Sequence, residues 1–134
     1  MRRLLSINYS QSAFNIAMLV LRVGAGAMCM SHGYSKLVQF SSMKTKFMNF
    51  MGLGSTLSLS LVVFSEFFCA IFVIIGLFSR LVVIPLIISM SVALFVAHNG
   101  DIFGAGEKAG LYLTCFIALL LCGPGKASID GMMR

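Results

Sequence analysis

Long apolar segments constrain this chain more than any other feature of its sequence. They run from about Phe14 to Tyr34, Thr56 to Phe78, Leu81 to His98 and Lys108 to Cys122. A helix needs about 20 mainly apolar residues to cross a bilayer, and these segments reach that length or come close to it, the fourth being the shortest. The pattern predicts an all-α integral membrane protein, folded as an antiparallel bundle of four transmembrane helices.

The composition excludes the other broad classes of protein. Of 134 residues, 59% are hydrophobic and 10% are charged, whereas soluble domains are roughly 45–50% apolar and about 25% charged. A disordered chain would show the opposite bias. The net charge of +6 is spread along the chain, so we expect the lipid bilayer, and no nucleic acid, as a partner. The length allows a single domain, residues 1–134.

The connections between the segments carry further signals. Only Ser79 and Arg80 separate the second segment from the third, which requires a tight hairpin, and Ser79 is a suitable N-cap for the third helix. In the first connection, Ser42 is suited to cap a short helix. Such a helix would be amphipathic and interfacial, with an extended linker as the alternative. Its apolar face would hold Met43, Phe47, Phe50 and Met51.

The orientation follows from the positive charges. An even number of spans places both termini on one side of the membrane. Arg2, Arg3 and Arg80 then share that side. Because cytoplasmic loops carry an excess of Lys and Arg, the termini are predicted to be cytoplasmic, on a weak bias.

Two charged residues interrupt the apolar segments, Arg22 in the first and Glu66 in the second. Charges within a membrane usually pair and face the interior of the bundle. At 1.5 Å per residue, Arg22 lies about 12 Å and Glu66 about 18 Å above the same end of the bundle, a gap that an arginine side chain can close. We therefore expect an intramembrane ion pair, acting either as a structural contact that sets helix register or as a proton relay. Arg22 shares a helix face with the small residues Gly26, Cys29 and Gly33.

A second group of polar residues gathers at one end of the predicted bundle. The antiparallel arrangement brings together the ends that hold His32, Lys36, His98, Asp101, Glu107 and Lys108. Histidines and carboxylates of this kind can hydrogen-bond and protonate a quinone carbonyl. We take His32, Lys36, His98, Asp101 and Glu107 as a candidate quinone or ligand pocket. The alternative is a set of interfacial residues that cap helices and anchor them among the headgroups.

Residue spacing predicts the direction of the Glu107 side chain, and it also bears on whether the histidines could bind a metal. Glu107 begins a stripe of small residues, Gly110, Thr114 and Ala118, and is therefore expected to point into the bundle. Histidine with carboxylate is an ordinary metal-binding combination. The two histidines show no HxxH or HxxxH spacing, however, so no metal site is predicted.

Short motifs along most of the chain resemble those of the DoxX family of small bacterial membrane proteins. The resemblance covers roughly residues 14–130 and rests on the order and spacing of the motifs. They are Arg22-Val23-Gly24, His32-Gly33-Tyr34-Ser35-Lys36-Leu37, Glu66, Gly76-Leu77-Phe78-Ser79-Arg80, His98, Glu107-Lys108, and Gly123-Pro124-Gly125-Lys126-Ala127-Ser128-Ile129-Asp130, which is similar to a GPGxxSxD close.

The resemblance implies a four-helix protein of the bacterial inner membrane. Similar proteins include the membrane subunit of thiosulfate:quinone oxidoreductase and membrane partners of antioxidant enzymes. It therefore implies quinone as the cofactor and a protein partner or a homo-oligomer. The sequence holds no haem, flavin or iron–sulfur motif, so a catalytic partner would have to bring the electron donor. Whether this chain is itself an enzyme stays open at this point.

Two other functional classes remain compatible with the sequence. The wider family also includes cargo receptors and assembly factors, so a non-enzymatic membrane scaffold, assembly factor or cargo-binding protein is the main alternative. A small transporter is a third possibility, because intramembrane charges are typical of transport pathways. Four helices without an internal repeat would leave little room for such a pathway in a single chain.

Overall fold

The computed structural model describes residues 2–134, and all its regular structure in that range is helical. The helices are α1 (Gln11–Val38), α2 (Phe40–Met43), α3 (Ser55–Ile75), α4 (Ser79–Ala97), α5 (Glu107–Cys122) and α6 (Ile129–Met132). The four long helices correspond to the four apolar segments. The first is longer than predicted at both ends.

Three helices, α1, α3 and α4, are long and apolar enough to cross a membrane. Helix α5 has 16 residues and is shorter than the usual span. Large apolar side chains cover the outward surface of the long helices, as expected for a protein whose solvent is lipid. Examples are Ile16, Val20, Leu61, Phe68, Ile88 and Leu121. The all-helical membrane protein predicted from the apolar segments is confirmed at this level.

Small residues allow α1 and α3 to approach closely. A Cβ atom at Gly26 would lie 2.7 Å from the side chain of Ile74, and one at Gly33 would lie 2.6 Å from the backbone of Glu66. The earlier glycine, Gly26, thus contacts the later residue of α3, and the later glycine, Gly33, contacts the earlier one. The two helices therefore run in opposite directions. Glycine at such a crossing brings two backbones into van der Waals contact.

Two segments of π-helix interrupt the long helices. Phe64–Cys69 lies within α3 and holds Glu66, and Ala93–Ala97 forms the end of α4, immediately before His98. A π segment widens the turn by one residue, and such segments occur frequently at functional sites. The segment Ala93–Ala97 lies at the end of α4 where the polar residues gather, whereas Phe64–Cys69 lies near the middle of α3.

The predicted interfacial helix in the first connection is not confirmed. Helix α2 has only four residues, contains Ser42 within it, and is followed by turns and bends. Met51 has φ +51°, which a continuing α-helix does not allow. The hydroxyl of Ser58 instead accepts a hydrogen bond from the N–H of Phe50 at 3.1 Å, which holds this loop against the start of α3.

A carboxylate from the end of the chain caps α4. The Asp130 oxygens accept hydrogen bonds from the N–H groups of Phe78 and Ser79, each at 2.8 Å, and the N–H of Asp130 donates to the carbonyl of Gly76 at 2.9 Å. Ser79, the predicted N-cap, is the first helical residue, and Phe78 occupies the cap position without a side-chain hydrogen bond. A distant carboxylate thus satisfies the first N–H groups of α4 and complements its dipole.

The Asp130 cap predicts a sensitivity to acid. Burial alone raises the pKa of Asp130, but hydrogen bonds from Ser79 and Phe78 and the nearby charge of Arg134 outweigh burial and hold that pKa below its usual value. A carboxyl with a lowered folded-state pKa stabilises the fold above about pH 4, and this contribution is lost as the pH falls through the folded-state pKa. We expect the melting temperature of the detergent-solubilised protein to fall with pH in this range. Asp130→Asn should lower it at pH 6 and reduce its acid dependence, and an unchanged acid dependence would contradict the assignment.

Candidate functional site

Arg22 is buried and binds backbone carbonyl groups. Its guanidinium donates to the carbonyls of Ile74 at 3.2 Å, Pro124 at 2.7 Å and Ala127 at 2.6 Å, while only 2% of the residue is exposed. These carbonyls belong to the end of α3 and to the segment after α5. Arg22 therefore joins α1 to the end of α3 and to the C-terminal segment.

The predicted ion pair between Arg22 and Glu66 is wrong. Within residues 2–134, the one salt bridge formed by Glu66 is to Lys36. Helical side chains point back toward the N-terminus of their own helix. Because α1 and α3 run in opposite directions, the side chain of Arg22 extends toward one end of the protein and that of Glu66 toward the other. The heights of the two residues along the helix axes do not reflect these directions, so they could not show that the side chains diverge.

Lys36 and Glu66 form the ion pair that the structure contains. The Nζ atom of Lys36 lies 2.5 Å from Oε2 of Glu66, and the two side chains are 27% and 5% exposed. Gly33 lies one helical turn before Lys36 and contacts the backbone of Glu66, so the absence of a side chain at Gly33 brings the two charges together. The sequence predicted these two residues in different sites, whereas the fold places them in one.

A cavity of about 190 Å³ surrounds this pair, and we call it the ion-pair cavity. Its lining includes one carboxylate, two lysine ammonium groups and two imidazoles, so positive charge exceeds negative charge. Both π segments contribute to it. The lining residues are Cys29, His32, Lys36, Glu66, Met90, Ala93, His98, Lys108, Ala109 and Tyr112.

The structure thus assembles three members of the predicted pocket, His32, Lys36 and His98, but turns two others away. Asp101 accepts a hydrogen bond from the N–H of Ala105 at 3.2 Å and organises the loop before α5. Glu107 is exposed in the first turn of α5, where a carboxylate is favourable beside the helix N-terminus and can reach solvent. The prediction that Glu107 points inward is wrong, because the buried face of α5 runs through Ala109, Phe116 and Leu119, and Thr114 of the predicted stripe is exposed.

Tyr112 is a lining residue that sequence analysis missed. Its ring packs edge-on against His32, with ring centroids 6.0 Å apart, and stacks on Phe116 at 6.1 Å. Tyr112 follows Lys108 by four residues, and residues at this spacing lie on the same face of a helix. That spacing is a signal that could have placed Tyr112 in the pocket.

A larger apolar groove adjoins the ion-pair cavity between α1 and α5. This lateral groove has a volume of about 560 Å³ and shares His32, Lys108 and Tyr112 with the cavity. Met28 and Leu111, two of its lining residues, are more than half exposed on the lipid-facing surface. The remaining lining residues are Ala25, Ala27, Ser31 and Cys115. The groove is therefore open along the outward apolar surface and is lined in part by the polar residues that it shares with the ion-pair cavity.

The polar side chains that line the cavity are mainly hydrogen-bond donors. Across residues 2–134, no three His, Cys, Asp or Glu side chains are placed to hold a metal ion. The cavity instead offers hydrogen-bond donors on Lys36, Lys108 and Tyr112. These donors surround the single carboxylate of Glu66.

Comparison with known proteins identifies the family. The family model described as DoxX matches residues 17–99, more than half of the chain, and this range includes Arg22, Lys36, Glu66 and His98. No curated protein and no solved structure matches the chain. The matched range covers most of α1 and all of α3 and α4, the three helices that are long enough to span a membrane. The chain therefore belongs to the DoxX family of membrane proteins.

Proposed function

We propose that this protein is a quinone-binding membrane subunit that works with a catalytic partner. The observation that carries the proposal is the junction of the lateral groove with the ion-pair cavity. An apolar entrance from the bilayer leads to lysine, histidine and tyrosine side chains around one carboxylate. A quinone has the matching form, an apolar tail attached to a ring with two carbonyl acceptors.

The position of each group suggests its part in binding. The ring would occupy the ion-pair cavity, where Lys36 and Lys108 are positioned to donate to a carbonyl oxygen. The tail would lie in the lateral groove beside Met28 and Leu111. Ligand pockets of this kind are mostly apolar, with a few polar groups that orient the ligand. The excess positive charge would also stabilise a reduced, electron-rich ring.

The reaction needs groups that this chain does not supply. Reduction of a quinone to a quinol consumes two electrons and two protons. The partner protein would provide the electrons, because no cofactor motif occurs in the sequence. His32 and His98 are suited to transfer the protons, since an imidazole can act both as a proton donor and as a proton acceptor. Glu66 would hold Lys36 in position through their ion pair.

The proposal includes a full membrane topology. All four long helices would cross the bilayer in an antiparallel bundle, with both termini in the cytoplasm and the ion-pair cavity near the outer surface of a bacterial inner membrane. Helix α5, with 16 residues, spans about 24 Å. Local thinning of the bilayer accommodates a helix of this length at modest cost.

The test is retention of a quinone by the purified protein. We expect native mass spectrometry in a mild detergent to detect bound quinone after incubation with a short-chain ubiquinone or menaquinone. Lys36→Gln should weaken binding about tenfold, the usual scale for loss of a charged hydrogen bond. His98→Ala should have a smaller effect on binding than on turnover with the partner.

Matched control variants distinguish the loss of a charge in the cavity from the loss of a charge elsewhere on the protein. Lys46→Gln removes the same charge from an exposed loop residue, and Glu107→Gln removes an exposed carboxylate, so both should retain quinone. Binding that is equal in Lys36→Gln and the unmodified protein would contradict the proposal. Capture of a protein partner by all variants alike, with no quinone bound to any of them, would instead support a scaffold or cargo-binding role.

A further inference from the structure

A separate pocket lies at the other end of α3, where the chain turns into α4. This hairpin pocket has a volume of about 340 Å³ and is formed by the α3–α4 turn, the end of α5 and the C-terminal segment. It shares no residue with the ion-pair cavity or the lateral groove. Its lining residues are Phe78, Ser79, Arg80, Leu81, Cys122, Gly123, Pro124, Gly125, Asp130, Gly131 and Arg134.

Two arginines in the hairpin pocket have hydrogen-bonding capacity that the described residues leave unused. The guanidinium of Arg80 makes one long hydrogen bond, to the carbonyl of Leu121 at 3.4 Å, although a guanidinium carries five N–H donors. The side chain of Arg134 forms no hydrogen bond or salt bridge with residues 2–134. Asp130 is the one acidic residue in the lining, and both of its oxygens already accept backbone N–H groups at 2.8 Å.

Exposed apolar side chains lie beside these charges. Phe78 and Leu81 both line the pocket, and they are 56% and 67% exposed. Gly123 lies directly against Arg80, because a Cβ atom there would be in van der Waals contact with the guanidinium, at 3.4 Å. Unpaired guanidinium groups next to a lipid-facing apolar surface fit an amphiphilic molecule with an anionic head.

We propose that the hairpin pocket binds the phosphate of an anionic phospholipid. Arg80 and Arg134 would donate to the phosphate oxygens, a geometry for which guanidinium groups are well suited. The acyl chains would extend over Phe78 and Leu81. Basic pockets between membrane helices at the level of the headgroups bind anionic lipids in this way. The phospholipid would fasten the α3–α4 turn and the C-terminal segment to the membrane surface, independently of any quinone.

The test compares how tightly two phospholipids bind to the protein. The protein in a neutral detergent is titrated with phosphatidylglycerol or phosphatidylcholine, and bound lipid is counted by native mass spectrometry. We expect phosphatidylglycerol to bind more tightly, and each of Arg80→Gln and Arg134→Gln to weaken it about fivefold. Arg134→Gln alters a side chain that forms no hydrogen bond or salt bridge with residues 2–134, so it tests the site without breaking a hydrogen bond of the turn.

The controls separate a lipid site from general charge and from free phosphate. Arg3→Gln removes an exposed arginine outside the pocket and should leave the preference for phosphatidylglycerol intact. An equal loss in Arg3→Gln, or no loss in the double variant Arg80→Gln/Arg134→Gln, would overturn the proposal. Competition by millimolar inorganic phosphate as effective as that by the phospholipid would show a free-phosphate site and would overturn it as well.

Discussion

Replacing Gly33 by alanine should separate α1 from α3 and destabilise the protein by about 2–3 kcal/mol. A methyl group at Gly33 would lie 2.6 Å from the backbone carbon of Glu66 and from the backbone nitrogen of Phe67. Backbone atoms cannot move aside as a flexible side chain can, so the helices themselves must shift. The higher helix propensity of alanine, worth up to about 1 kcal/mol, is too small to compensate. The measurement is denaturation in detergent followed by circular dichroism.

The chain offers a matched control for this substitution in the same helix. A methyl group at Gly24 would have no neighbour within 4 Å, so Gly24→Ala should be neutral or stabilise the protein by about 0.5–1 kcal/mol. Gly33→Ala should also weaken quinone binding, because it displaces Glu66 from Lys36. Equal stability of the Gly33→Ala and Gly24→Ala variants would contradict the close contact between α1 and α3 at Gly33.

Replacing Arg22 by alanine should destabilise the protein by about 3 kcal/mol or more. The substitution leaves three carbonyl acceptors, on Ile74, Pro124 and Ala127, without their donor. The three hydrogen bonds are partly buried, and each hydrogen bond to a charged group contributes about 1.5–3 kcal/mol. Relief from burying the charge offsets only part of this. Denaturation in detergent measures the loss, and limited proteolysis should show earlier cleavage in the segment that follows Pro124.

Two comparisons make the Arg22 prediction specific. Arg80→Ala removes an exposed arginine with one long hydrogen bond at the same end of the protein, so its effect on stability without added lipid should stay below about 1 kcal/mol. Arg22→Ala should leave quinone binding intact in the molecules that remain folded, since Arg22 lies outside the ion-pair cavity. Selective loss of quinone binding in a variant of unchanged stability would instead return Arg22 to a functional role.

The short motifs that follow one another along the sequence have distinct physical roles in the fold. Gly76, with φ +74°, ends α3 and accepts the N–H of Asp130 at its carbonyl. Ser128 is buried and donates to the carbonyl of Gly125 at 2.6 Å. The hairpin motif and the C-terminal motif therefore bind to each other, with Arg22 between them. Each motif is visible in the sequence, but their assembly into one structure is not.

The sequence contains a signal for Lys36 as the partner of Glu66. The helix face that holds Gly26, Cys29 and Gly33 continues to Lys36, and the last of these glycines contacts the backbone of Glu66. Side-chain direction in helices of opposite orientation would have favoured Lys36 over Arg22 as the partner of Glu66. The same face therefore contained the signal for the observed pair.

The sequence by itself determined that this chain is an all-helical membrane protein, because the length and hydrophobicity of a span are local properties that the bilayer imposes. It also determined which polar residues stand out from the apolar segments. Only the tertiary structure decided how these residues pair, that α3 and α4 carry π segments, and that Asp101 and Glu107 face away from the cavity. The physical reason is that pairing depends on the relative direction and rotation of helices. Packing between distant segments sets these, at contacts such as that of Gly33 with Glu66.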